Sequence, residues 1–504
     1  MQQESKHKVP IPAIIITSTV IALAVFFGLQ LIFKVGVFHQ PGKIIFADSL
    51  TEENQDFIND NLNLNALELK ADVTISRIRS ESMLNPLPGA DCTPMPGKSC
   101  ETISTKVLYD ILLPVTAWGS TETSISPEAA PQGTLVSIWN LNSSQKLLAL
   151  DGNYYLDDLT HGAFFEYLVI EGKDESDVAM ISKQLQDKIA TLPTKDSILT
   201  LAQTGVTALS RRMNTKLNQI KDAKYFAINI GEFLSSFDLT HTSNEASFSQ
   251  YASGANICAK PGMIDTLTAI GIDIVELTGN HNQDCGDADA IATVEQYHDL
   301  GIKTFGGGVS SDEAAKPLEI SEKGSNITML GYNLSTGGYT LDHTPGANFY
   351  TEEKFKQDVA AAKERGDFII VDIQYYECNE YADTNENTTC DRADSAAGDQ
   401  VGFFRSLIDM GANMVIGTSA HQPQTFEQYH GGTIYYGLGN LFFDQSAWPG
   451  TTRSLVLINY FWEGKLLQTR IVPTVYDEDF QTRLMESADA AKFIQRLLSV
   501  RPAA

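Results

Sequence analysis

Apolar runs alternate with amphipathic segments through residues 197–475, and this alternation limits the possible folds more than any other feature of the sequence. The runs that predict strands are residues 197–202, 225–230, 272–277, 327–332, 368–373 and 413–416. The segments that predict helices between them are residues 261–270, 288–300, 351–365 and 400–410. Strands that alternate with helices favour an α/β fold built around a mainly parallel sheet. Antiparallel strands are predicted towards the end of the region, at residues 433–438, 454–461 and 466–473.

A loop rich in polar groups directly follows the predicted strand at residues 272–277 and contains Gly279, Asn280 and His281. In an open α/β sheet, ligand sites form at the carboxyl ends of the strands. Glycine allows a sharp turn, an asparagine oxygen can bind a metal ion, and histidine can bind a metal or transfer a proton. Asparagine and glycine also form ordinary turns, so this loop alone leaves both interpretations open. A second polar loop at residues 418–424, after the apolar residues 414–417, strengthens the prediction of a site.

The length and the charge of the chain restrict its organisation and its partners. The 504 residues suggest about three domains. With 43% hydrophobic and 20% charged residues, the chain has the composition of a folded globular protein. Its net charge of −27 argues against nucleic acid as a partner, because no basic surface would neutralise the phosphates. An anionic ligand would therefore need a local basic pocket or a divalent cation.

Residues 11–33 contain no charged residue and are rich in Ile, Val, Leu, Ala and Phe. A helix of about 23 residues, rising about 1.5 Å per residue, is long enough to cross a hydrocarbon core about 30 Å thick. We interpret this segment as an uncleaved transmembrane signal anchor, with residues 1–10 as a cytoplasmic tail and the bulk of the chain outside the cell membrane. The orientation depends on the lysines that precede the segment, and further lysines follow it. A buried core helix is the alternative.

The six cysteines lie in close-set pairs, as is typical of an exported domain stabilised by disulfides. The simplest of the roughly fifteen pairings joins sequence neighbours: Cys92 with Cys100, Cys258 with Cys285, and Cys378 with Cys390. A cysteine metal site is less favoured, because the sequence contains no Cys-x-x-Cys spacing.

The sequence pattern of residues 42–193 predicts a separate N-terminal α/β or α+β module. Residues 191–194 are predicted to be the linker at its end. Within the module, residues 147–159, which include Asp151-Gly152, predict a β-hairpin. No cluster of chemically active residues is recognisable there. A ligand-binding module and a spacer or partner-binding domain both remain open, and the second is the simpler interpretation.

Several unusual motifs occur in a fixed order between residues 197 and 475. They are Thr204-Gly205-Val206-Thr207-Ala208-Leu209, His241-Thr242-Ser243-Asn244-Glu245-Ala246-Ser247-Phe248, Glu276-Leu277-Thr278-Gly279-Asn280-His281, Gly306-Gly307-Gly308, Val371-Asp372-Ile373-Gln374, Ala420-His421-Gln422-Pro423-Gln424, and Tyr436-Gly437-Leu438-Gly439-Asn440-Leu441-Phe442-Phe443-Asp444-Gln445. In these motifs the chain resembles the CapA family of capsule (poly-γ-glutamate) synthesis proteins. The resemblance implies a layered α/β sandwich at residues 197–475, similar to calcineurin-type metallophosphoesterases, with residues 476–504 as a C-terminal helical extension.

The resemblance also implies roles for residues at the predicted strand ends. Glu245, Asn280 and His421 occupy positions where the family places metal ligands, and His281 occupies the position of a general acid. Two-metal phosphoester chemistry uses such side chains to hold cations that polarise a phosphoryl oxygen and lower the pKa of a water molecule. Asp284 lies in the same loop as His281 and is a further catalytic candidate.

The chain departs from the family pattern at three expected ligands. Val206 stands in place of an Asp, and Gln374 stands in place of a His. Ser419 stands where the family has a His two residues before His421. The loss of three such ligands should weaken a dinuclear site severely, so a full two-metal centre is not expected.

One divalent cation (Mn, Mg, Zn or Ca) is the remaining metal prediction, with Glu245, Asn280, Gln374 and His421 as ligands together with water molecules. Metal-free hydrolysis of a carbohydrate or peptide is the alternative, and it would use Glu245 with Asp284 or Glu377. Such carboxylates would need to stand about 5–9 Å apart. A purely structural role for His281, bonded to a neighbouring strand, also remains open.

The candidates for substrate binding in these loops are Arg211, Arg212, Asn244, Gln422, Asn440 and Asp444. The two arginines are the adjacent basic pair nearest to the loops, although a solvated helix face explains them equally well. Phe442 and Phe443 are expected in the core. The triple glycine before Ser310 predicts an anion cradle at a helix start or, preferably, a tight turn with a capping serine.

Together these features predict a membrane-anchored, extracytoplasmic protein that takes part in making, exporting or anchoring a surface polymer such as a capsule or poly-γ-glutamate. The expected partners are the membrane, the polymer and its synthesis machinery. The expected mechanism is metal-assisted hydrolysis or transfer at a phosphoester or related bond. The alternative is a catalytically decayed polymer-binding or scaffold subunit, which the residues Val206, Gln374 and Ser419 favour.

Overall fold

The computed structural model describes residues 43–62, 67–80, 102–189, 191–334, 338, 340, 344–375, 399–418, 420–447 and 449–502. The predicted anchor at residues 11–33 lies outside these ranges, as do Glu377, Ser419 and the predicted pairs Cys92–Cys100 and Cys378–Cys390. None of the helices within these ranges has the length and apolar character needed to cross a membrane.

Strands make up most of the regular structure. In chain order they are β1 (Ile44–Phe46), β2 (Val73–Ser80), β3 (Ile103–Ala117), β4 (Ser124–Ile125), β5 (Thr134–Ser137), β6 (Gln145–Leu147), β7 (Ala149–Leu150), β8 (Phe164–Gly172), β9 (Ile198–Thr207), β10 (Leu239–Asn244), β11 (Ile274–Glu276), β12 (Lys303–Phe305), β13 (Gly307–Gly308), β14 (Leu318–Glu322), β15 (Ser325–Asn333), β16 (Gly346–Ala347), β17 (Phe368–Gln374), β18 (Met414–Gly417), β19 (Phe426–Tyr429), β20 (Gly432–Tyr435), β21 (Asn440–Phe442), β22 (Arg453–Trp462), β23 (Lys465–Tyr476) and β24 (Thr482–Leu484).

Side-chain caps start five of the α-helices in the described ranges. In chain order the α-helices are α1 (Glu52–Asn61), α2 (Glu175–Gln186), α3 (Arg212–Ile220), α4 (Gly231–Leu234), α5 (Ile264–Ala269), α6 (Asp287–Asp299), α7 (Ser311–Ala314), α8 (Glu352–Arg365), α9 (Gln400–Met410) and α10 (Ser487–Ser499). The Thr351 side chain accepts a hydrogen bond from the backbone of Lys354 at the start of α8, and Gly366 ends that helix with a φ of 77°. These are the usual start and stop signals of a helix, because they satisfy backbone groups that the helix itself leaves without partners.

The chain forms two compact units, and the smaller one comprises residues 1–111 and 164–191. In this unit β1 pairs with β2 in parallel, and β2 pairs with β8 in antiparallel orientation. Ile58 of α1, Ile181 of α2 and Ile75 and Ile170 of the sheet pack into one buried cluster. The unit is therefore a small sheet stabilised by two amphipathic helices.

The larger unit comprises residues 112–163 and 192–504 and contains two large sheets. One sheet has the strand order β12-β11-β10-β9-β22-β23-β24, with β21 beside β9, and its strands from β12 to β9 are parallel. The other has the order β14-β15-β17-β18-β20-β19 and is parallel from β15 to β20. The prediction of a mixed α/β fold is confirmed, and the layered arrangement is consistent with a metallophosphoesterase-like fold.

The two sheets pack face to face around a shared apolar core. Leu201 and Ile274 come from one sheet, and Ile370 and Met414 come from the other. Because successive side chains point to opposite faces of a strand, Val371 packs on the far side of its sheet, in the cluster formed with helices α8 and α9. Residues 368–371 of β17 are thus apolar on both faces, as expected for a central parallel strand.

The C-terminal helix is part of this core. Phe493, Leu497 and Leu498 of α10 are buried in the cluster between the sheets, and Thr425 donates a hydrogen bond to the carbonyl of Leu497 over 2.6 Å. Residues 476–504, predicted as an extension beyond the domain, therefore belong to the sandwich.

The observed units also divide residues 42–193 differently from the predicted module. Residues 112–163 belong to the larger unit, where the side chain of Gln468 on β23 accepts a hydrogen bond from Leu147 and donates one to the carbonyl of Gln145, each over 3.0 Å. These contacts span more than 300 residues of sequence, which local patterns do not report.

Two local predictions are wrong. Residues 225–230 form helical turns instead of a strand, because the Asp222 side chain caps the backbone of Lys224 and starts a 3₁₀ helix. The predicted hairpin at residues 147–159 reduces to a tight turn at Asp151-Gly152, with φ values of 50° and 80°, while β7 pairs in parallel with β4. In the glycine triplet, Gly306 bends the chain with a φ of 73° before the short strand β13, and Ser310 caps the short helix α7.

Candidate functional site

The carboxyl ends of parallel strands from both sheets meet at one edge of the sandwich. Thr278, just after β11, and Thr418, just after β18, are 3.3 Å apart through their hydroxyl oxygens. Asn333, at the end of β15, donates a hydrogen bond to the carbonyl of Thr278 over 2.6 Å. The two polar loops predicted from the sequence are therefore neighbours in space, at the edge where α/β folds form ligand sites.

Gly279 allows this loop to approach the neighbouring strand closely. A Cβ atom at this position would lie 2.7 Å from Cγ of Glu245 and 3.0 Å from the carbonyl oxygen of Asn244. Real Cβ atoms do not approach other atoms so closely, so a larger residue would displace Glu245. Gly279 is therefore needed at this position for close packing against Glu245, as well as for the turn of the chain.

His421 lies beside Glu245 and is oriented by Asn440. Its Nδ1 atom is 2.9 Å from Oδ1 of Asn440, and its Nε2 atom is 3.8 Å from Oε2 of Glu245. The amide nitrogen of Asn440 donates to the carbonyl of Thr451 and to the side chain of Gln445, both over 3.0 Å, which fixes its oxygen towards His421. Nδ1 of His421 therefore carries the proton, and the lone pair of Nε2 is on the side of Glu245.

Burial keeps His421 neutral at physiological pH. Removal from water lowers the pKa of His421 to about 4, and the positive charges of His281 and Arg211 act in the same direction, whereas the hydrogen bond to Asn440 raises it. Glu245 is also buried, with 1% of its side chain exposed. A neutral imidazole beside a buried carboxylate is a pair of potential metal-ligand atoms.

An aromatic ring connects His421 to a basic group. The rings of His421 and Phe443 have centroids 5.2 Å apart, and the guanidinium of Arg211 lies 5.1 Å from the Phe443 ring centroid. Arg211 forms no ion pair with any carboxylate among the described residues. Its φ of 53° and ψ of −126° place it in a backbone region that L residues seldom adopt. Of the two arginines predicted to bind an anion, Arg211 is therefore the one whose charge is not neutralised by a carboxylate among the described residues.

Arg212, the other predicted basic residue, is already engaged. Its Nε donates to Oδ1 of Asp444 over 2.6 Å and its backbone nitrogen donates to Oδ2 over 2.9 Å. Asp444 has only 5% of its side chain exposed, so this contact satisfies a buried carboxylate. The structure brings Arg212 and Asp444 together as a structural pair.

Three asparagine or glutamine residues predicted to belong to the site lie at this edge of the sandwich. The side-chain nitrogen of Gln374 donates to Oδ1 of Asn280 over 3.3 Å, and Thr418 contacts the Gln374 oxygen at 3.5 Å. Asn244 donates to the carbonyl of Ala246 over 3.0 Å. A further candidate, Gln422, is buried beside His421 in the sequence. Asn280 and Gln374 thus bind each other through their side chains.

His281 pairs with Asp284 at the entrance of the loop. Nδ1 of His281 is 2.9 Å from Oδ2 of Asp284, and the two side chains are 28% and 38% exposed. The next residue, Cys285, forms a disulfide with Cys258, one of the three predicted pairs. The disulfide anchors the end of this loop to the segment that follows β10.

The potential metal ligands at the candidate site do not fit a centre with two metal ions. Among the described residues no group of three or more His, Cys, Asp or Glu side chains is placed to hold a metal ion. Val206 is buried, and its backbone nitrogen donates to the carbonyl of Gly439 over 2.8 Å, so this position offers no ligand. His421 and Glu245, with amide oxygens nearby, fit a single cation better, because the other ring nitrogen of His421 already donates to Asn440 as in many metal-binding histidines.

A second buried polar cluster was only partly anticipated. His241 at β10 and Asp372 at β17 approach to 3.1 Å between Nε2 and Oδ2, and both side chains are nearly inaccessible. Burial, together with the negative charge of Asp372, raises the pKa of Glu276 at β11 to about 7. Glu276 and Asp372 each place a charged group near the carboxyl end of an otherwise apolar strand. That position is the sequence signal for Glu276, which is not among the predicted site residues.

A sequence model of the bacterial capsule synthesis protein family PGA_cap matches residues 200–445. Three curated relatives are also similar to parts of the chain. The capsule biosynthesis protein CapA of Bacillus anthracis is 21% identical over 48% of this chain and 57% of its own length. The PGA biosynthesis protein CapA of Bacillus subtilis (strain 168) is 27% identical over 39% of this chain and 49% of its own length.

The third relative is a probable polyglutamine synthesis accessory protein of Mycobacterium tuberculosis, which is 26% identical over 44% of this chain and 61% of its own length. The chain therefore spans about half to three fifths of the relatives that it matches. The matched region contains Arg211, Glu245, His281 and His421 and excludes the smaller unit.

Proposed function

We propose that this protein acts in the biosynthesis or export of a cell-surface polymer of the capsule or poly-γ-glutamate type, because residues 200–445 match the sequence model of the bacterial capsule synthesis family PGA_cap. The relatives are described by their names as capsule or PGA biosynthesis proteins and as a polymer synthesis accessory protein. We assign the function of this chain to the edge of the sandwich where both polar loops meet.

The observation that carries the proposal is the orientation of His421. Asn440 holds the imidazole so that its unprotonated nitrogen is on the side of Glu245, 3.8 Å from the nearer carboxylate oxygen. The imidazole nitrogen of His421 and the carboxylate of Glu245 are both buried, and atoms of this kind can bind a small cation or accept a proton from a reacting group.

Glu245 and His421 would hold one divalent cation, with Asn280 and Gln374 supplying amide oxygens. When bound, the cation would polarise a phosphoryl oxygen and lower the pKa of a water molecule. His281, supported by Asp284, would donate a proton to the leaving oxygen at a phosphoester or related bond. Arg211, beside Phe443, would attract the anionic group of the substrate.

The cellular setting of this activity is part of the proposal. Residues 11–33 would anchor the protein in the cell membrane as a single-pass segment, and the described residues would lie outside the cytoplasm. The Cys258–Cys285 disulfide supports an oxidising compartment. In that position the protein could associate with the machinery that synthesises or exports the polymer.

A second candidate function is binding of the polymer without turnover. It is favoured by Val206 and by the mutual hydrogen bond of Asn280 and Gln374, because these positions offer poor ligands in comparison with Asp and His. In this alternative the cleft would be a binding site on a scaffold subunit.

The full chain should be assayed on a chromogenic phosphodiester and on poly-γ-glutamate, each with Mn²⁺, Mg²⁺, Zn²⁺ and Ca²⁺. Turnover should be lost in His281→Ala and Glu245→Gln and retained in His430→Ala, which changes an exposed histidine that pairs with Asp409. No turnover in the wild type with any cation would rule out the catalytic proposal. Retained binding of poly-γ-glutamate would then support the second candidate.

A further inference from the structure

Three ionisable side chains are enclosed between the two sheets, close to the strand ends of the candidate site. Glu276 on β11 and His241 on β10 belong to one sheet, and Asp372 on β17 belongs to the other. All three residues have a relative exposure of 0%. Nε2 of His241 and Oδ2 of Asp372 are 3.1 Å apart, so this buried cluster extends across the interface of the sheets.

The polar atoms of the buried cluster are poorly satisfied. Within the described ranges, both ring nitrogens of His241, both carboxylate oxygens of Asp372 and Oε2 of Glu276 have no aligned hydrogen-bond partner. Each unsatisfied buried group costs free energy, so native proteins seldom retain several together without a functional reason. The buried cluster is therefore a candidate for a functional element, and the mechanism proposed above does not use it.

The other oxygen of Glu276 holds the start of the loop at residues 278–286. Oε1 of Glu276 accepts a hydrogen bond from the backbone nitrogen of Thr278. The carbonyl of Thr278 accepts a hydrogen bond from Asn333 over 2.6 Å, and its hydroxyl lies 3.3 Å from that of Thr418. Thr278 therefore fastens the loop to both sheets, and Glu276 supplies one of its three contacts.

The charged groups that act on Glu276 among the described residues are Asp372, from the opposite sheet, and His241, from the neighbouring strand. The adjacent strands β12 and β18 present Phe305 and Ile416, which are uncharged. Burial and the negative charge of Asp372 raise the pKa of Glu276 to about 7, whereas His241 and hydrogen bonding lower it. An ionised Glu276 would thus face a second carboxylate without access to water.

We propose that protonation of Glu276 controls whether the loop at residues 278–286 is closed on the two sheets. The protonated carboxyl keeps Thr278 fastened, and the ionised carboxylate favours a state in which Thr278 detaches and water reaches Glu276. Hydration of the charge and opening of the loop are coupled, because the closed cluster is fully enclosed. The loop carries Asn280 and His281, so an effect on turnover rests on the proposed function, whereas the order of the loop does not.

Hydrogen–deuterium exchange of the full chain, read by mass spectrometry at about pH 5 and about pH 8 and corrected for intrinsic rates, tests this proposal. The raised pKa stabilises the closed state fully below pH 4.5, and the stabilisation is lost as the pH rises through 7. Opening of residues 275–283 should therefore increase by about tenfold or more between the two conditions. The core strand at residues 368–374 should open far less, because it exchanges only through global unfolding.

Glu276→Gln keeps a neutral side chain at this position, so the loop should stay closed at both pH values. The matched control is Glu353→Gln, which changes an exposed glutamate on α8 and should retain the increase. Asp372→Asn removes the facing carboxylate and should reduce the increase, which provides a second test if Glu276→Gln does not fold.

An increase in the wild-type loop that is lost in Glu276→Gln or reduced in Asp372→Asn supports the proposal. No increase in the wild type, an equal increase in both variants, or an equal increase in residues 368–374 would overturn it. Exchange is measured on the loop itself, so a failure of the proposed function would be recognised separately, by the absence of turnover.

Discussion

His421 donates its Nδ1 hydrogen to Oδ1 of Asn440 over 2.9 Å, and this contact fixes which ring nitrogen lies on the side of Glu245. Asn440 can take this role because its amide nitrogen is held by the carbonyl of Thr451. The longest motif in the sequence therefore contributes an orienting residue in addition to the core aromatic residues Phe442 and Phe443.

Asn440→Leu should lower the free energy of unfolding by about 1–3 kcal/mol, because it removes the buried hydrogen bonds that Asn440 makes with His421 and Thr451. Urea denaturation followed by circular dichroism would measure the change. Asn326→Leu alters an exposed asparagine on β15 and should change stability much less. Equal stability of Asn440→Leu and the wild type would contradict the assigned hydrogen bonds.

Gly279→Ala should displace Glu245 and destabilise the protein by about 1–3 kcal/mol, as expected for overpacking. The physical reason is the 2.7 Å separation that a Cβ atom would have from Cγ of Glu245. Gly262→Ala is the matched control, because a Cβ atom there meets nothing within 4 Å. Thermal denaturation of both variants checks the prediction, which fails if the two behave alike.

Glu276 should make stability depend on pH. Burial raises its pKa from 4.5 to about 7 in the folded chain, so folding favours the protonated form. The resulting stabilisation is complete below pH 4.5 and is lost as the pH rises through 7, with a total change of about 3 kcal/mol. Glu276→Gln should remove this slope from denaturation measured between these pH values, whereas Glu353→Gln, at an exposed position on α8, should preserve it. An unchanged slope in Glu276→Gln would contradict the account.

The two adjacent arginines should have separable effects. Arg212→Gln leaves the buried carboxylate of Asp444 without its partner and should cost about 1–3 kcal/mol of stability. Arg211→Gln should leave stability nearly unchanged and weaken binding of an anionic substrate, because Arg211 has no carboxylate partner in the described structure. Denaturation and polymer binding should be measured on both variants. A large stability loss in Arg211→Gln would show that its role is structural.

The Cys258–Cys285 disulfide should stabilise the loop that carries His281 and Asp284. It closes a loop of 27 residues, and its removal should cost about 2–4 kcal/mol. The double variant Cys258→Ser with Cys285→Ser should melt at a lower temperature than the wild type. A reducing agent should lower the melting temperature of the wild type by more than that of the variant, which keeps the other four cysteines. If both proteins respond equally to the reducing agent, this bond is not the one responsible.

The sequence predicted those elements whose cause is local. The strand expected at residues 414–417 is observed as Met414–Gly417, because four consecutive apolar residues between polar loops fit a buried parallel strand. The two polar loops were predicted at strand ends, where the parallel topology brings them together. The glycine of one motif was predicted for its flexibility, and the structure adds its contact with Glu245.

Features that depend on contacts between residues far apart in the sequence could not be predicted from local patterns. Arg211 and Arg212 have the same chemistry, and only the fold places Asp444 against Arg212. The assignment of residues 112–163 to the larger unit depends likewise on Gln468, more than 300 residues away in sequence. The burial of Glu276 is hidden in the sequence because a charged residue in an apolar run carries no signal of its neighbours.

Cation binding to the full chain tests the central claim most directly, by titration calorimetry with Mn²⁺, Mg²⁺, Zn²⁺ and Ca²⁺ after removal of bound metal. If His421 and Glu245 bind a cation together, the wild type should bind about one cation per chain. Binding should be lost in both His421→Ala and Glu245→Gln and retained in His430→Ala. No stoichiometric binding by the wild type, or binding that survives both substitutions, would contradict it.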